Sequence, residues 1–174
     1  MEAFLKLKVP HDDPALAHCY EHLSANLDAI VDLADKSGPA VVLCTVPTNI
    51  RSCAPFGAQN AADLSKDAAA KWRTLFDEGR KLQDNKQFSK AMAKYLAASE
   101  IDDEHAELAY AMGQCAEQTG DLPAAAKYCT LARDRDTLRS RADSRVSQSR
   151  VGAGSRSGRR AGQSRQFADQ AGGY

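Results

Sequence analysis

The sequence has no long apolar run, few aromatic residues and no paired-cysteine motif. No stretch approaches the length of a membrane-spanning helix, so we expect no membrane span. The chain has five cysteines, an odd number without a CxxC pair. They are Cys19, Cys44, Cys53, Cys115 and Cys129. This usage argues against a disulfide framework and favours a reducing compartment. Met1-Glu2-Ala3 does not open a signal peptide, so we expect a cytoplasmic location by default.

The charge is balanced overall but unevenly distributed, with 23 Lys and Arg against 23 Asp and Glu. From Arg139 onward there are 8 Arg, no Lys and 2 Asp, which gives +6 and leaves −6 for the preceding residues. A basic tail can neutralise phosphates, but Phe167 and Tyr174 are its only aromatic residues and its arginines are scattered. We therefore interpret residues 140–174 as a disordered tail and do not favour nucleic-acid binding.

Residues 72–139 repeat at an interval of about 34 residues. Three positions are small in both copies: Gly79 and Gly113, Ala91 and Ala125, Ala98 and Ala132. Three others pair larger or unlike residues: Phe88 and Leu122, Lys94 and Tyr128 (beside Tyr95), Leu75 and Ala109. Glycine inside a helix costs about 1 kcal/mol relative to alanine, so we predict that a neighbouring helix passes too close for a side chain. Turn-forming residues at 84–87 and 119–123, including Pro123, separate the predicted helices.

These positions resemble the tetratricopeptide repeat (TPR), with units at 72–105 and 106–139. The resemblance implies two helical hairpins, of which the first helices line a concave groove for an extended peptide. Asp103 and Thr137 depart from the proline that is frequent in the family. Leu75 stands where the consensus prefers Trp, and Trp72 lies three residues earlier. Two units are fewer than the three usually needed, so we expect helices at 13–36 and about 137–149 to cap the stack.

By this resemblance eight residues face the groove. They are Arg73, Phe76, Arg80 and Gln83 in the first unit and Glu107, Tyr110, Gln114 and Glu117 in the second. We expect Phe76 and Tyr110 to be apolar anchors, and Arg73 and Arg80 to pair with a ligand carboxylate. In the alternative interpretation this face packs against the hydrolase-like piece at 1–60 or against the first helix.

Residues 1–60 follow a different pattern. Asp13-Pro14 predicts a helix start, and Lys36-Ser37-Gly38-Pro39 predicts its end. An apolar stripe connects them: Leu16, Tyr20, Leu23, Leu27, Ile30 and Val31. The continuous apolar run Val41–Val46 predicts a strand buried on both faces, and Pro47-Thr48-Asn49 closes it. No second strand is evident, so we interpret this region as a piece of a larger α/β domain.

This helix is followed by the run VVLCTVPTN, then by CAPF, and then by the helical repeats. That order of segments resembles the SGNH (GDSL-like) hydrolase-type esterases that carry a TPR insertion. In that family a serine near the start is the nucleophile and an Asp-x-x-His pair near the end completes the site. No catalytic position carries over. No Gly-Asp-Ser block precedes residue 13, Asn49 does not match the oxyanion motif, and no Asp-x-x-His follows the repeats. Thr137–Arg145 resembles re-entry into such a domain, and one hypothesis is that a shifted reading frame replaced the blocks beyond.

Other reactive residues give weaker patterns. His18 and His22 are spaced for one metal ion, but they lie opposite the apolar stripe without a third ligand, so we expect exposed histidines and no metal site. Cys44 and Cys53 have nothing to orient a Cys-His pair, and Gly152–Ser155 lacks the features of a phosphate loop.

The sequence therefore predicts a mainly α-helical chain. Its parts are an SGNH-like helix and strand at 1–60, TPR-like repeats at 61–139 and a basic tail at 140–174. We expect a non-catalytic module that binds a protein or peptide, with no cofactor. The alternative is a fragment of an SGNH-type esterase that is inactive without the missing serine and Asp-His blocks.

Overall fold

The computed structural model describes residues 8–38, 41–44 and 46–149. Its helices are α1 (Pro14–Ser37), α2 (Lys66–Asp84), α3 (Phe88–Ser99), α4 (Ala106–Gln118) and α5 (Leu122–Asp134), followed by a helical stretch at 144–149. None of the described residues is in a strand, which confirms the mainly helical class. No helix in these ranges has both the length and the apolar character needed to cross a membrane.

The described residues divide into two compact units. Residues 8–12 with 48–141 form the first, which contains α2 to α5, and the described parts of 13–47 and 142–149 form the second, which contains α1. Side-chain caps start several helices. The Asp13 carboxylate accepts from Ala15 N at 2.8 Å, as the Asp13-Pro14 start of α1 requires. Gly38, with φ 91°, ends α1 in the left-handed conformation.

In the first unit α2 packs on α3, α4 packs on α5, and α3 packs on α4. The largest fully buried side chains form the core between the two hairpins: Trp72, Phe76, Tyr95, Leu108 and Cys115. The Trp72 and Phe76 rings stack with centroids 5.0 Å apart, and Trp72 Nε1 donates to Asp102 O at 3.0 Å. Burial of each of these large apolar side chains stabilises the fold by about 1.5–3 kcal/mol.

The repeated small residues lie where the two helices of each hairpin meet. A Cβ added at Gly79 would lie 2.5 Å from Tyr95 Cε1, and one at Gly113 would lie 2.6 Å from Cys129 Sγ. Real Cβ atoms do not approach other atoms so closely, so both positions require glycine. The alanines at the other repeated positions are buried: Ala91, Ala98, Ala125 and Ala132. The repeat period therefore corresponds to a repeated close contact between helix backbones.

The turns inside the hairpins also repeat. Lys86 and Gly120 are one repeat period apart, and both have a positive φ, 58° and 84°. The same left-handed turn thus connects α2 to α3 and α4 to α5, although only the second turn has the residue type that this conformation favours.

Replacing Lys86 with glycine is expected to raise the free energy of unfolding by about 0.5 kcal/mol. Removing the side chain relieves about 1–2 kcal/mol of left-handed strain, which the greater flexibility of glycine in the unfolded chain partly offsets. Gly120→Ala should lose about 1 kcal/mol, since nothing lies within 4 Å of the position that its methyl group would occupy and only the backbone resists. Urea titrations of both variants test this, and equal effects of the same sign would contradict it.

The predicted strand at Val41–Val46 is wrong. Residues 41–44 and 46 have no regular secondary structure, and the Val42 and Val46 side chains are 82% and 49% exposed. A strand forms by pairing with a second strand, and none of the described residues is in a strand. Apolar composition alone therefore did not make this run a buried strand.

The predicted basic tail differs from the structure at its start. Arg141 donates to Cys53 O at 2.9 Å and to Asp136 Oδ2 at 3.0 Å, and residues 144–149 are helical. In the second unit Asp143 caps this helical stretch by accepting from Val146 N, and it also accepts from Tyr20 Oη on α1. The predicted helix at about 137–149 is thus shorter. The remainder of the predicted tail, residues 150–174, lies outside the described residues.

Candidate functional site

The predicted groove residues lie on one face of the first unit, formed by α2 and α4, which we call the groove face. A cavity of about 300 Å³ opens on it. Six of the eight predicted residues line this cavity: Phe76, Arg80, Gln83, Glu107, Tyr110 and Gln114. Arg73 and Glu117 lie on the same two helices outside the lining. The structure therefore brings most of the predicted set together.

A chain of hydrogen bonds fixes the floor of this cavity. Tyr95 Oη on α3 donates to Gln83 Oε1 on α2 at 2.7 Å, and Gln83 Nε2 donates to Gln114 Oε1 on α4 at 2.9 Å. Burial raises the pKa of the Tyr95 phenol, so it remains a proton donor at neutral pH. Three helices are thereby held in register beneath the groove face.

The structure does not support the prediction that Phe76 is an apolar anchor for a ligand. Its side chain is 2% exposed and stacks in the core on Trp72, so it cannot insert into a ligand. The reason is helical spacing, because Phe76 follows Trp72 by four residues and precedes Gly79 by three, which places it on the core-facing side of α2. Arg80 lies over the Phe76 ring, with its Cζ 5.9 Å from the ring centroid.

A non-helical segment of the same chain, residues 48–61, is called the inner segment and contacts the groove face through residues 51–55. Tyr110 Oη donates to Arg51 O at 3.0 Å, and the Arg51 guanidinium pairs with the Glu117 carboxylate through Nε and Nη2. Ala54 and Pro55 line the 300 Å³ cavity. The alternative interpretation was that this face packs against the piece at 1–60 or the first helix, and the residues that make these contacts lie within 1–60. Here the arginine comes from the segment and the carboxylate from the groove.

Two buried aspartates hold the other half of the inner segment. Asp136 accepts from Phe56 N at 2.9 Å and Gly57 N at 3.0 Å. Asp102 accepts from Asn60 Nδ2 at 2.7 Å and from Ala61 N at 3.2 Å. Asp136 and Asp102 are only 3% and 5% exposed, and we call them the clamp aspartates.

Sequence reasoning missed the clamp aspartates although they carry the repeat signal. Asp102 and Asp136 are themselves one repeat period apart, each shortly after the second helix of its hairpin. Each accepts from the backbone N–H two residues ahead, Glu104 N at 2.9 Å and Leu138 N at 3.0 Å. The next residues, Asp103 and Thr137, stand where the TPR family often has proline. Attention to that departure left the aspartates before them unnoticed. An identical acidic residue at the repeat period was the available signal.

Beside Arg51 lies a second, more apolar cavity of about 430 Å³. Its walls come from α5, the inner segment and Glu117 on α4, and include Ile50, Leu122, Ala125, Ala126 and Cys129. Leu122, paired with Phe88 in the repeat, is 64% exposed, whereas Phe88 packs against the core. At this position of the repeat, α5 therefore exposes an apolar side chain where α3 packs one against the core.

The other candidate residues do not assemble into a site. His18 and His22 are exposed on α1, and the part of the chain that the structure describes contains no group of three His, Cys, Asp or Glu placed to hold a metal. Burial raises the pKa of the Cys115 thiol to about 11 and also raises that of Cys129, so both stay protonated at neutral pH and are poor nucleophiles. These thiols pack the core.

Comparison of the chain with protein-family models, with curated proteins and with solved structures gave no match. The groove face and its inner segment are therefore interpreted from their own contacts.

The stability of the first unit is expected to fall in mild acid because of His105. Its ring lies 4.5 Å from that of Trp72, and burial lowers its pKa, although the Glu107 and Asp102 carboxylates partly oppose the effect. The unfolded chain then binds the proton first, so stability is complete above about pH 6.5 and declines below it by at most about 1.4 kcal/mol per pH unit.

Urea titrations at pH 7.5 and 5.0 should show a larger loss for the wild type than for His105→Leu. His22→Gln, at an exposed histidine, is the control and should behave like the wild type. Identical losses in the wild type and His105→Leu would contradict this prediction.

Proposed function

We propose that this chain is a non-catalytic, TPR-like interaction module whose groove face binds a peptide segment of a partner protein. The observation that carries the proposal is the inner segment. A stretch without helix or strand already lies on the groove face, held through its backbone at Arg51 O and through the Arg51 side chain. A surface that contacts one such segment through a backbone carbonyl and an arginine side chain has the chemistry to contact another segment with the same groups.

The groove face carries both acidic and basic side chains, so it is suited to bind a peptide that also carries both signs of charge. Glu107 and Glu117 on α4 offer carboxylates, while Arg73 and Arg80 on α2 offer guanidinium groups that can form bidentate pairs with a ligand carboxylate. Tyr110 is half-buried and keeps the role predicted for it as an amphipathic contact. Phe76 supports the floor from beneath. The hydrolase alternative has no observation in its favour, because the strand on which the resemblance depended is not formed.

Fluorescence anisotropy with the full chain tests this proposal. The probes are labelled decapeptides of acidic, basic and mixed charge, together with one copied from residues 46–55 with Cys53→Ser. We expect at least one class to bind, Tyr110→Phe and Glu117→Gln to weaken a basic or mixed peptide several-fold, and Arg80→Ala to weaken an acidic one. Lys90→Ala, at an exposed site on α3, is the control and should have no effect. Failure of every peptide to bind at 1 mM, or binding insensitive to all three groove variants, would contradict the proposal.

A further inference from the structure

The inner segment is held in two unequal parts. Residues 53–61, the anchored part, donate to both clamp aspartates, and Arg141 donates to Cys53 O at 2.9 Å. Residues 48–52, the outer part, are held to the helices of the described chain by the Tyr110 hydrogen bond and the Arg51–Glu117 ion pair. Any release of the inner segment therefore begins in the outer part.

The ion pair that holds the outer part is close to water. The Arg51 side chain is 77% exposed, whereas that of Glu117 is 24% exposed. An ion pair of this kind shifts an equilibrium by less than about fivefold, and one neutral hydrogen bond contributes a similar factor. By contrast, the carboxylates that hold the anchored part are buried, and losing such a partner costs far more. The outer part can thus leave the groove face while the anchored part stays in place.

We propose that residues 48–52 are a displaceable internal ligand of the groove face, and that the partner segment replacing them carries an aliphatic residue followed by arginine. This inference rests on the proposed function and adds the partner's chemistry and a built-in competitor. The arginine would pair with Glu117, and its backbone carbonyl would accept from Tyr110, as Arg51 does. The aliphatic side chain would enter the 430 Å³ cavity that Ile50 now lines beside Leu122 and Ala125.

Charge and shape select this partner. The polar contact on the groove side is a carboxylate, so the complementary residue is cationic, and arginine matches a carboxylate through two parallel N–H groups. Apart from Arg51 and Glu117, the residues that line the adjacent cavity are uncharged: Ile50, Leu122, Ala125, Ala126 and Cys129. An acidic peptide would meet like charge at Glu117, and a peptide without the aliphatic residue would leave the cavity unfilled.

The competitor makes a quantitative prediction. When the binding-competent state is only a fraction of the molecules, the apparent dissociation constant is the intrinsic value divided by that fraction. Weakening the internal ligand should therefore tighten the binding of an added peptide. Arg51→Ala removes the ion pair from the internal ligand alone, and we expect it to lower the dissociation constant about two- to fivefold.

The probe is a labelled peptide with the sequence of residues 46–55 and Cys53→Ser, titrated by anisotropy against the full chain. We compare the wild type, Arg51→Ala, the double variant Arg51→Ala/Glu117→Gln and the control Lys90→Ala. Tighter binding by Arg51→Ala, reversed in the double variant and absent in the control, is the expected result. A second peptide with glutamine in place of its arginine should bind every protein that retains Glu117 at least threefold more weakly.

The outcomes separate this inference from the proposed function. Equal binding by the wild type and Arg51→Ala, with loss on Glu117→Gln, would leave the groove face as a peptide site but overturn the internal competitor. Indifference to the arginine in the probe would overturn the partner chemistry. Absence of binding of this peptide by every variant would overturn the internal ligand and its partner chemistry, and the proposed function would also fall only if the acidic, basic and mixed peptides fail to bind. Concentration-dependent dimerisation that Arg51→Ala abolishes, measured by sedimentation velocity, would make a second copy of the chain the occupant and overturn the separate partner.

Discussion

Replacing Asp136 with alanine is expected to lower the free energy of unfolding by about 3–5 kcal/mol. The carboxylate accepts from Phe56 N, Gly57 N, Leu138 N and Arg141 Nη2, all at 2.9–3.0 Å, and the residue is 3% exposed. Its loss leaves three backbone N–H groups without this acceptor, and it leaves the Arg141 guanidinium, 12% exposed, without its carboxylate. Urea unfolding followed by circular dichroism measures the effect.

The matched control for this variant is Asp103→Ala. Asp103 also pairs with an arginine, Arg135 at 3.0 Å, but its own side chain is 64% exposed. Removing such an exposed partner should change stability by no more than about 1 kcal/mol. If Asp136→Ala and Asp103→Ala were equally mild, the buried clamp would not be holding the inner segment to the repeats.

Replacing Gly79 with alanine is expected to cost about 2 kcal/mol, although alanine is the better helix former. The added methyl group would lie 2.5 Å from Cε1, 2.7 Å from Cδ1 and 3.0 Å from Cζ of Tyr95. The ring is fully buried and hydrogen-bonded through its hydroxyl to Gln83, so it cannot move aside without breaking other contacts. Overpacking of this kind costs about 1–3 kcal/mol or more, which outweighs the gain of about 1 kcal/mol in helix propensity.

A double-mutant cycle with Tyr95→Leu identifies the cause of this loss. Gly79→Ala should be much less harmful in the Tyr95→Leu background, where the ring is absent, than in the wild type. Thr74→Ala, at an exposed position of the same helix, controls for propensity and should be neutral or slightly stabilising. Additive effects of Gly79→Ala and Tyr95→Leu would show that the close approach is not what requires glycine at this position.

The helical hairpins could be predicted from the sequence because their signal is local and repeated. A glycine or alanine that returns once per repeat period reports a backbone contact within one hairpin, and the turn at Lys86 and Gly120 returns at the same interval. The groove residues were predicted from the resemblance to the TPR, and six of the eight line one cavity between α2 and α4. Phe76 was predicted by the same resemblance to be a ligand anchor, but in this chain its side chain is 2% exposed and packs in the core.

The inner segment and the strand needed information that one sequence does not carry. The contacts between residues 56–61 and the clamp aspartates span 41 to 80 positions along the chain, and nothing in the local pattern of PFGAQNA predicts them. The run Val41–Val46 has strong β-propensity, but propensity describes a fit to a sheet, and the described residues offer no sheet. Tertiary context decided both cases.

Amide hydrogen exchange across residues 48–61 of the full chain is the most direct test of a groove face filled by its own displaceable segment. We predict slow exchange at Phe56, Gly57 and Ala61, whose N–H groups donate to the clamp aspartates, and fast exchange at Ser52, whose N–H donates to the nearby Asn49 side chain. Arg51→Ala should accelerate exchange in residues 48–52 alone. Uniformly fast exchange along all of 48–61 would contradict this structure of the groove, and uniformly slow exchange would contradict the displaceable outer part.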